Sequence, residues 1–171
     1  MRLGILGYNK PEKIYISVKN NETSTVVFGQ PLCFVMSGTD DGILVELPNT
    51  VSAGKAQGTL AGVCAKLGGI AAGEYGLVQV YGYNTATKIV RQARTASTVT
   101  FETAAAIAVG EPFQVTTIGN GMTRQGAVAT AIHAHYCVAG EAVASLDSIA
   151  TTSSETRLQV TSMIKTFLRL M

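Results

Sequence analysis

Two histidines and a cysteine alternate along His133-Ala134-His135-Tyr136-Cys137. On a strand, residues two apart share a face, so both imidazoles and the thiol would line up on one side. Nitrogen and sulfur donors so arranged could form half of a zinc site, which takes four such ligands. The chain has no other histidine, and it offers neither an evident fourth ligand nor an adjacent acid. The expectation is a packed or interface strand, with no metal and no cofactor.

Other chemistries fare no better. No Gly-x-Ser-x-Gly nucleophile elbow is present. Gly4-Ile5-Leu6-Gly7 lacks the Gly-x-Gly-x-x-Gly spacing of a dinucleotide fingerprint, and no helical pattern follows it. Asp40-Asp41 has no further acid at calcium-ligand spacing and reads as a solvated turn. Tyr75, Tyr81 and Tyr83 fall at odd positions of one strand and would share a face. Such a stripe can grip a sugar, but cross-strand packing or a subunit contact is the commoner use. Arg91 and Arg94 read as surface charges available for an intersubunit ion pair. No catalytic set emerges, and the chain reads as a non-enzyme.

The elements that would carry these residues are strands. Ile14 to Lys19 is β-branched and aromatic and stops at Asn20-Asn21. Leu32 to Met36 and Ile43 to Leu47 flank a turn whose Asp41-Gly42 tolerates positive φ, as a tight hairpin requires. Leu60 to Ala65 is a further strand, and Glu74 to Tyr83 is the clearest of all. Its Gly76 and Gly82 predict bends or close backbone approach. All alanines fall after residue 50, and the Ala/Thr-rich stretch 85–108 has no decided propensity. Thr156 to Met171 is rich in strand formers and predicts a closing strand, although Ser153 and Ser154 before Glu155 could cap a helix.

One hexapeptide occurs twice in outline, as Gly29-Gln30-Pro31-Leu32-Cys33-Phe34 and Gly110-Glu111-Pro112-Phe113-Gln114-Val115. Glycine permits an unusual backbone angle and proline fixes φ, so each copy would deliver the chain into a strand. The organisation expected is an N-terminal arm and first strand over 1–24, then a β-rich domain over 25–171. That domain would hold two related units, 25–84 and 106–171, or one barrel with a repeated corner. The fold class is mainly β, a small barrel or sandwich.

Apolar residues make up 47% of the 171 and charged residues only 14%, too few charges to cover the surface of such a domain. Part of the apolar surplus is expected to bury against neighbouring subunits. The net charge is +2 with no basic stripe, which argues against nucleic acid. No segment is apolar enough to span a bilayer, and the N-terminus lacks the apolar core of a signal peptide. Cys33, Cys64 and Cys137, odd in number and far apart, read as reduced core residues of a protein made in a reducing cytoplasm.

Several segments together carry a resemblance: Gly29-Gln30-Pro31-Leu32, Asp41-Gly42 with the apolar strand and Pro48 behind it, Leu60-Ala61-Gly62-Val63, Ala72 through Tyr83, Ala139-Gly140-Glu141-Ala142, and Lys165 through Leu170. They resemble the head decoration, or cement, proteins of tailed bacteriophages, across about two-thirds of the chain, with 85–108 fitting less well. The resemblance implies a β-barrel or β-sandwich, often a homotrimer, bound to the outer capsid surface. There it would hold neighbouring capsomers of the major capsid protein together. It implies assembly in the host cytoplasm and a final place on the virion. Candidate interface residues are Leu3, Ile5 and Tyr8 of the arm, Tyr75, Tyr81, Tyr83, Arg91 and Arg94, and Phe167 and Arg169 near the end. A virion-borne sugar-binding module, or another head or tail structural protein, is the alternative.

Overall fold

A computed structural model of the chain describes residues 12–36, 42–49, 59–93, 106–116, 120–124, 137–144 and 158–170. The protein is mainly β, with nine strands and no α-helix among these residues. The strands are β1 (Ile14–Asn20), β2 (Pro31–Phe34), β3 (Leu44–Glu46), β4 (Leu60–Cys64), β5 (Tyr75–Ala93), β6 (Pro112–Thr116), β7 (Gly121–Arg124), β8 (Cys137–Ala139) and β9 (Leu158–Arg169). The elements expected at Ile14–Lys19, 32–36, 43–47, 60–65, 74–83 and the C-terminus all form. The undecided segment resolves in part: β5 does not stop at Tyr83 but runs on to Ala93.

The pairings form two closed rings. In the first, β1 lies parallel to β3, and β3–β2, β2–β4, β4–β5 and β5–β1 are antiparallel. In the second, β5 lies parallel to β7, and β7–β6, β6–β8, β8–β9 and β9–β5 are antiparallel. The 19-residue β5 is a wall of both, its N-terminal part in the first and its C-terminal part in the second. Closure uses up strand edges that would otherwise invite pairing with another chain. The sequence-derived division at residue 25 would leave β1 with the arm, whereas β1 is a wall of the first ring.

Each ring has its own interior. Val18, Val26, Leu32, Val45, Ala61, Cys64, Ile70 and Val78 fill the first. Ile89, Ile107, Phe113, Met122, Cys137, Ala139, Ile164 and Leu168 fill the second. Burying a side chain of this size is worth about 1.5–3 kcal/mol, so each ring holds a core of its own. Val63 points out of the first ring and joins the second cluster, while Cys33 and Leu60 meet Val115. These contacts weld the rings together.

The crossing point on β5 is polar. The strand is irregular between Asn84 and Thr87, where Asn84 Oδ1 accepts the Ala86 N–H at 2.8 Å. Asn84 Nδ2 donates to Gln79 Oε1, and Gln79 Nε2 donates to the Tyr81 carbonyl. Both amide side chains are buried, and leaving such groups without partners would cost about 1–3 kcal/mol each. A bulge redirects a strand, and here it aims β5 from one ring into the next.

The two corners singled out by the repeated hexapeptide follow one path. Val26 and Ile70 exchange backbone hydrogen bonds, as do Ile107 and Val143. Gly29 N–H donates to the Cys64 carbonyl and Gly110 N–H to that of Ala139. The carbonyls of Gln30 and Glu111 then accept from Cys64 and Ala139 in turn. Gly29 and Gly110 have φ of 82° and 85°, a region where a side chain is disfavoured.

Candidate interaction surface

The face-sharing rule for strands decides where the tyrosines go. Tyr15, Ser17 and Lys19 of β1 point outward from the first ring, opposite Gln79, Leu77 and Tyr75 of β5. Tyr15, Tyr75 and Leu77 are all exposed there, Tyr75 at 61%. The Ala65 N–H donates to the Leu77 carbonyl, which brings the turn bearing exposed Leu67 to the same wall. A Lys66–Glu74 ion pair at 3.5 Å, both side chains well exposed, rims this face; such surface pairs contribute little stability.

A second apolar group stands at the end of the β2–β3 hairpin. The Val35 N–H donates to the Leu44 carbonyl at 2.9 Å, placing exposed Met36 and Ile43 across from one another. Lys19 N–H donates to the Ile43 carbonyl, so β1 separates this tip from the Tyr75 wall. Among the described residues, seven of the nine exposed large apolar side chains belong to the first ring: Tyr15, Val27, Met36, Ile43, Leu67, Tyr75 and Leu77. Only Val109 and Met163 lie on the second.

The expected tyrosine stripe does not form as one accessible face. Tyr81 is half-buried and packs edge-on against Phe167, ring centroids 5.5 Å apart. Tyr83 is half-buried as well, its hydroxyl donating to the Gly140 carbonyl at 3.4 Å. Only Tyr75 of the three is open to solvent. Arg169 is exposed and pairs with Tyr81 across β5–β9, and Arg91 pairs with Val160 on the same ladder. Leu3, Ile5, Tyr8 and Arg94 lie outside the described residues, as do His133 and His135.

Cys137, the third member of the alternating His/Cys run, points into the second core. Burial pushes its thiol up to about 12, against a hydrogen bond from Thr166 that acts the other way. Burial also pushes the Cys33 thiol up to about 12 and raises that of Cys64. All three are buried thiols outside any disulfide, held in the protonated form that is neither nucleophile nor metal ligand. No cluster of three metal-ligating side chains occurs among the described residues.

Tyr15, Leu77, Leu67, Met36 and Ile43 were missing from the sequence-derived candidates. The alternation of β1 and β5 carried the signal for Leu77, which shares parity with Tyr75. Nothing local distinguishes Met36, whose exposure follows from where the hairpin ends. No protein-family model matches the chain, and no curated protein matches its sequence.

Proposed function

We propose that this chain is a structural protein of a virus particle, binding the outer surface of the capsid and cementing neighbouring capsomers of the major capsid protein. The observation that carries this reading is the uneven surface. Among the described residues, the closed framework carries seven of its nine exposed large apolar side chains on the first ring, and exposed apolar patches on soluble domains mark contact sites for other proteins. The low charge content and the resemblance to decoration proteins support the same reading. A cement has to touch more than one partner at once. Two apolar groups parted by β1 meet that need, and many weak contacts repeated over a symmetric shell sum to firm attachment. In this reading the Met36/Ile43 tip meets the shell, and the interaction requires neither cofactor nor nucleic acid.

The test is co-sedimentation with shells assembled from the major capsid protein of the same virus. Wild-type protein is expected to pellet at a fixed ratio to capsid protein, measured by quantitative mass spectrometry. The Met36→Asp/Ile43→Asp variant is expected to stay in the supernatant while keeping its far-UV circular dichroism. Wild-type protein that remains unbound at all shell concentrations would overturn the reading.

A further inference from the structure

In each ring the strands that close the circuit run parallel, β1–β3 in the first and β5–β7 in the second. The two seams match in register. Lys19↔Tyr75 corresponds to Lys88↔Met163, and Asn20↔Val45 to Ile89↔Met122. By that match Asn120 stands where the first ring has Ile43, but the bonding there differs. Lys19 N–H donates to the Ile43 carbonyl, whereas Lys88 N–H donates to the Gly29 carbonyl, a group of the other ring. Asn120 instead takes a left-handed φ of 52°, and its side-chain Oδ1 accepts the Asn49 N–H at 3.1 Å. Asn49 follows β3, so this end of the second seam is tied to the first ring.

Asn120-Gly121 is also the single Asn-Gly pair of the chain; the other five asparagines precede Lys, Asn, Glu or Thr. Such a pair can modify itself. The glycine nitrogen attacks the asparagine Cγ and forms a C–N bond. The peptide proton ends on the departing amide nitrogen, which leaves as ammonia. One water then opens the succinimide to aspartate or isoaspartate. Glycine favours the attack because no side chain shields its nitrogen. Here the fold demands both residues. Asparagine is among the few residues with a Cβ that accept a left-handed φ. A Cβ at Gly121 would meet Val90 Cγ2 at 2.5 Å and the Lys88 carbonyl at 3.1 Å.

We propose that Asn120 is a self-modification site latched by Asn49: cyclisation proceeds when the Asn49–Asn120 contact opens, and isoaspartate then holds it open. In the closed state both reacting groups are engaged. Oδ1 is held by Asn49, and Gly121 pairs with Thr116 on the β6–β7 ladder while packing on Val90. The two products differ in consequence. Aspartate keeps an oxygen for the Asn49 N–H and accepts the same φ. Isoaspartate adds a methylene to the main chain immediately before Gly121, where the approach to Val90 and Lys88 leaves no slack. That product cannot return to the seam. The proposal concerns the chain alone and does not depend on the capsid reading.

The full chain is incubated in mildly alkaline buffer, folded or unfolded in urea, while peptide mass spectrometry and isoaspartate-specific enzymatic methylation follow each asparagine. In urea, Asn120 is expected to convert first. The folded chain is expected to convert there at least ~10-fold more slowly, since a hydrogen bond and the packing of Gly121 must first be given up. Asn49→Pro deletes the donor and is expected to speed the folded-state reaction about 3- to 10-fold, the worth of one hydrogen bond, with the rate in urea unchanged. Should that variant fold poorly, native-state hydrogen exchange on the wild-type chain serves instead. Exchange of the Asn49 amide and conversion of Asn120 are then expected to rise together as urea is raised below the unfolding transition. On removal of urea, chains carrying the aspartate product are expected to regain the native circular dichroism, and those carrying isoaspartate are not. A folded chain that converts as fast as the unfolded one overturns the proposal. So does a folded-state rate that follows neither Asn49→Pro nor exchange at Asn49, or isoaspartate chains that refold as the aspartate chains do.

Discussion

Gly29 and Gly110 hold the same backbone angle at the same point of their rings, yet one lies beneath Met163 and the other has nothing within 4 Å of an added Cβ among the described residues. The shared angle must therefore come from the corner itself, from glycine two residues ahead of proline and from the paired bridge behind it. The contact above it is a separate, tertiary matter. Alanine separates the two contributions. At either position it meets the left-handed backbone penalty of about 1–2 kcal/mol. At Gly29 it also collides with the Ala86 carbonyl, and overpacking of this kind adds about 1–3 kcal/mol. Urea denaturation is expected to show Gly29→Ala losing about 3 kcal/mol or more, and Gly110→Ala about 1–2 kcal/mol. Equal losses would mean that the corner of the first ring is not pinned by the second.

The interiors differ by chemistry at equivalent points. Val18 and Val78 of the first ring correspond to Thr87 and Thr166 of the second, whose hydroxyls lie 2.6 Å apart and fully buried. Asn20, which donates to the Ser24 and Ile70 carbonyls, corresponds to Ile89. Each ring thus hides its polar pair at a different level, and in both the polar atoms find partners. Replacing Thr166 alone by Val strands the Thr87 hydroxyl and is expected to cost about 1–3 kcal/mol. Replacing both threonines by Val copies the first ring and is expected to cost under about 1 kcal/mol, since removing both hydroxyls is close to neutral and the Cys137 thiol loses only a weak hydrogen bond to Thr166. A double-mutant cycle by chemical denaturation reads the coupling. Additive losses would show that the hydroxyls do not depend on one another.

Strand positions were legible in the sequence wherever β-branched runs ended at turn formers, as at Ile14 to Lys19 and Glu74 to Tyr83. The continuation of β5 past Tyr83 was not, because Asn84-Thr85-Ala86-Thr87 has no strand preference of its own. Its path is set by the β9 ladder and the buried Asn84–Gln79 amides. The hexapeptide pair located both corners, but six residues say nothing of what lies over them. The contact surface was the least legible part. Tyr81 and Tyr83 share parity with Tyr75, and only the arrival of Phe167 and Gly140 from distant segments covers them. Exposure of an aromatic side chain is a property of the assembled rings, not of its own strand.

The smallest contrast lies beside the corners. Gln30 is buried and its Oε1 accepts the Val27 N–H, with apolar Leu47 one residue beyond Glu46 on the neighbouring ladder. The second ring has Glu111 there, its Oε1 accepting from Arg124 Nη2 at 2.6 Å and its Oε2 buried without a partner among the described residues. A partly exposed ion pair contributes about 0–1 kcal/mol, and the unpartnered oxygen works against even that. Arg124→Leu alone removes the cation that pairs with the carboxylate and is expected to lose about 1 kcal/mol. Adding Glu111→Gln restores the pairing of the first ring, because a glutamine oxygen can turn to the Ala108 N–H as Gln30 turns to Val27. Recovery of stability in the double variant, beyond the sum of the single changes, is the expected outcome of thermal denaturation at low and high salt. If the double variant instead falls further than Arg124→Leu, the carboxylate is holding the corner in a way that no amide reproduces, and the two corners are alike in backbone only.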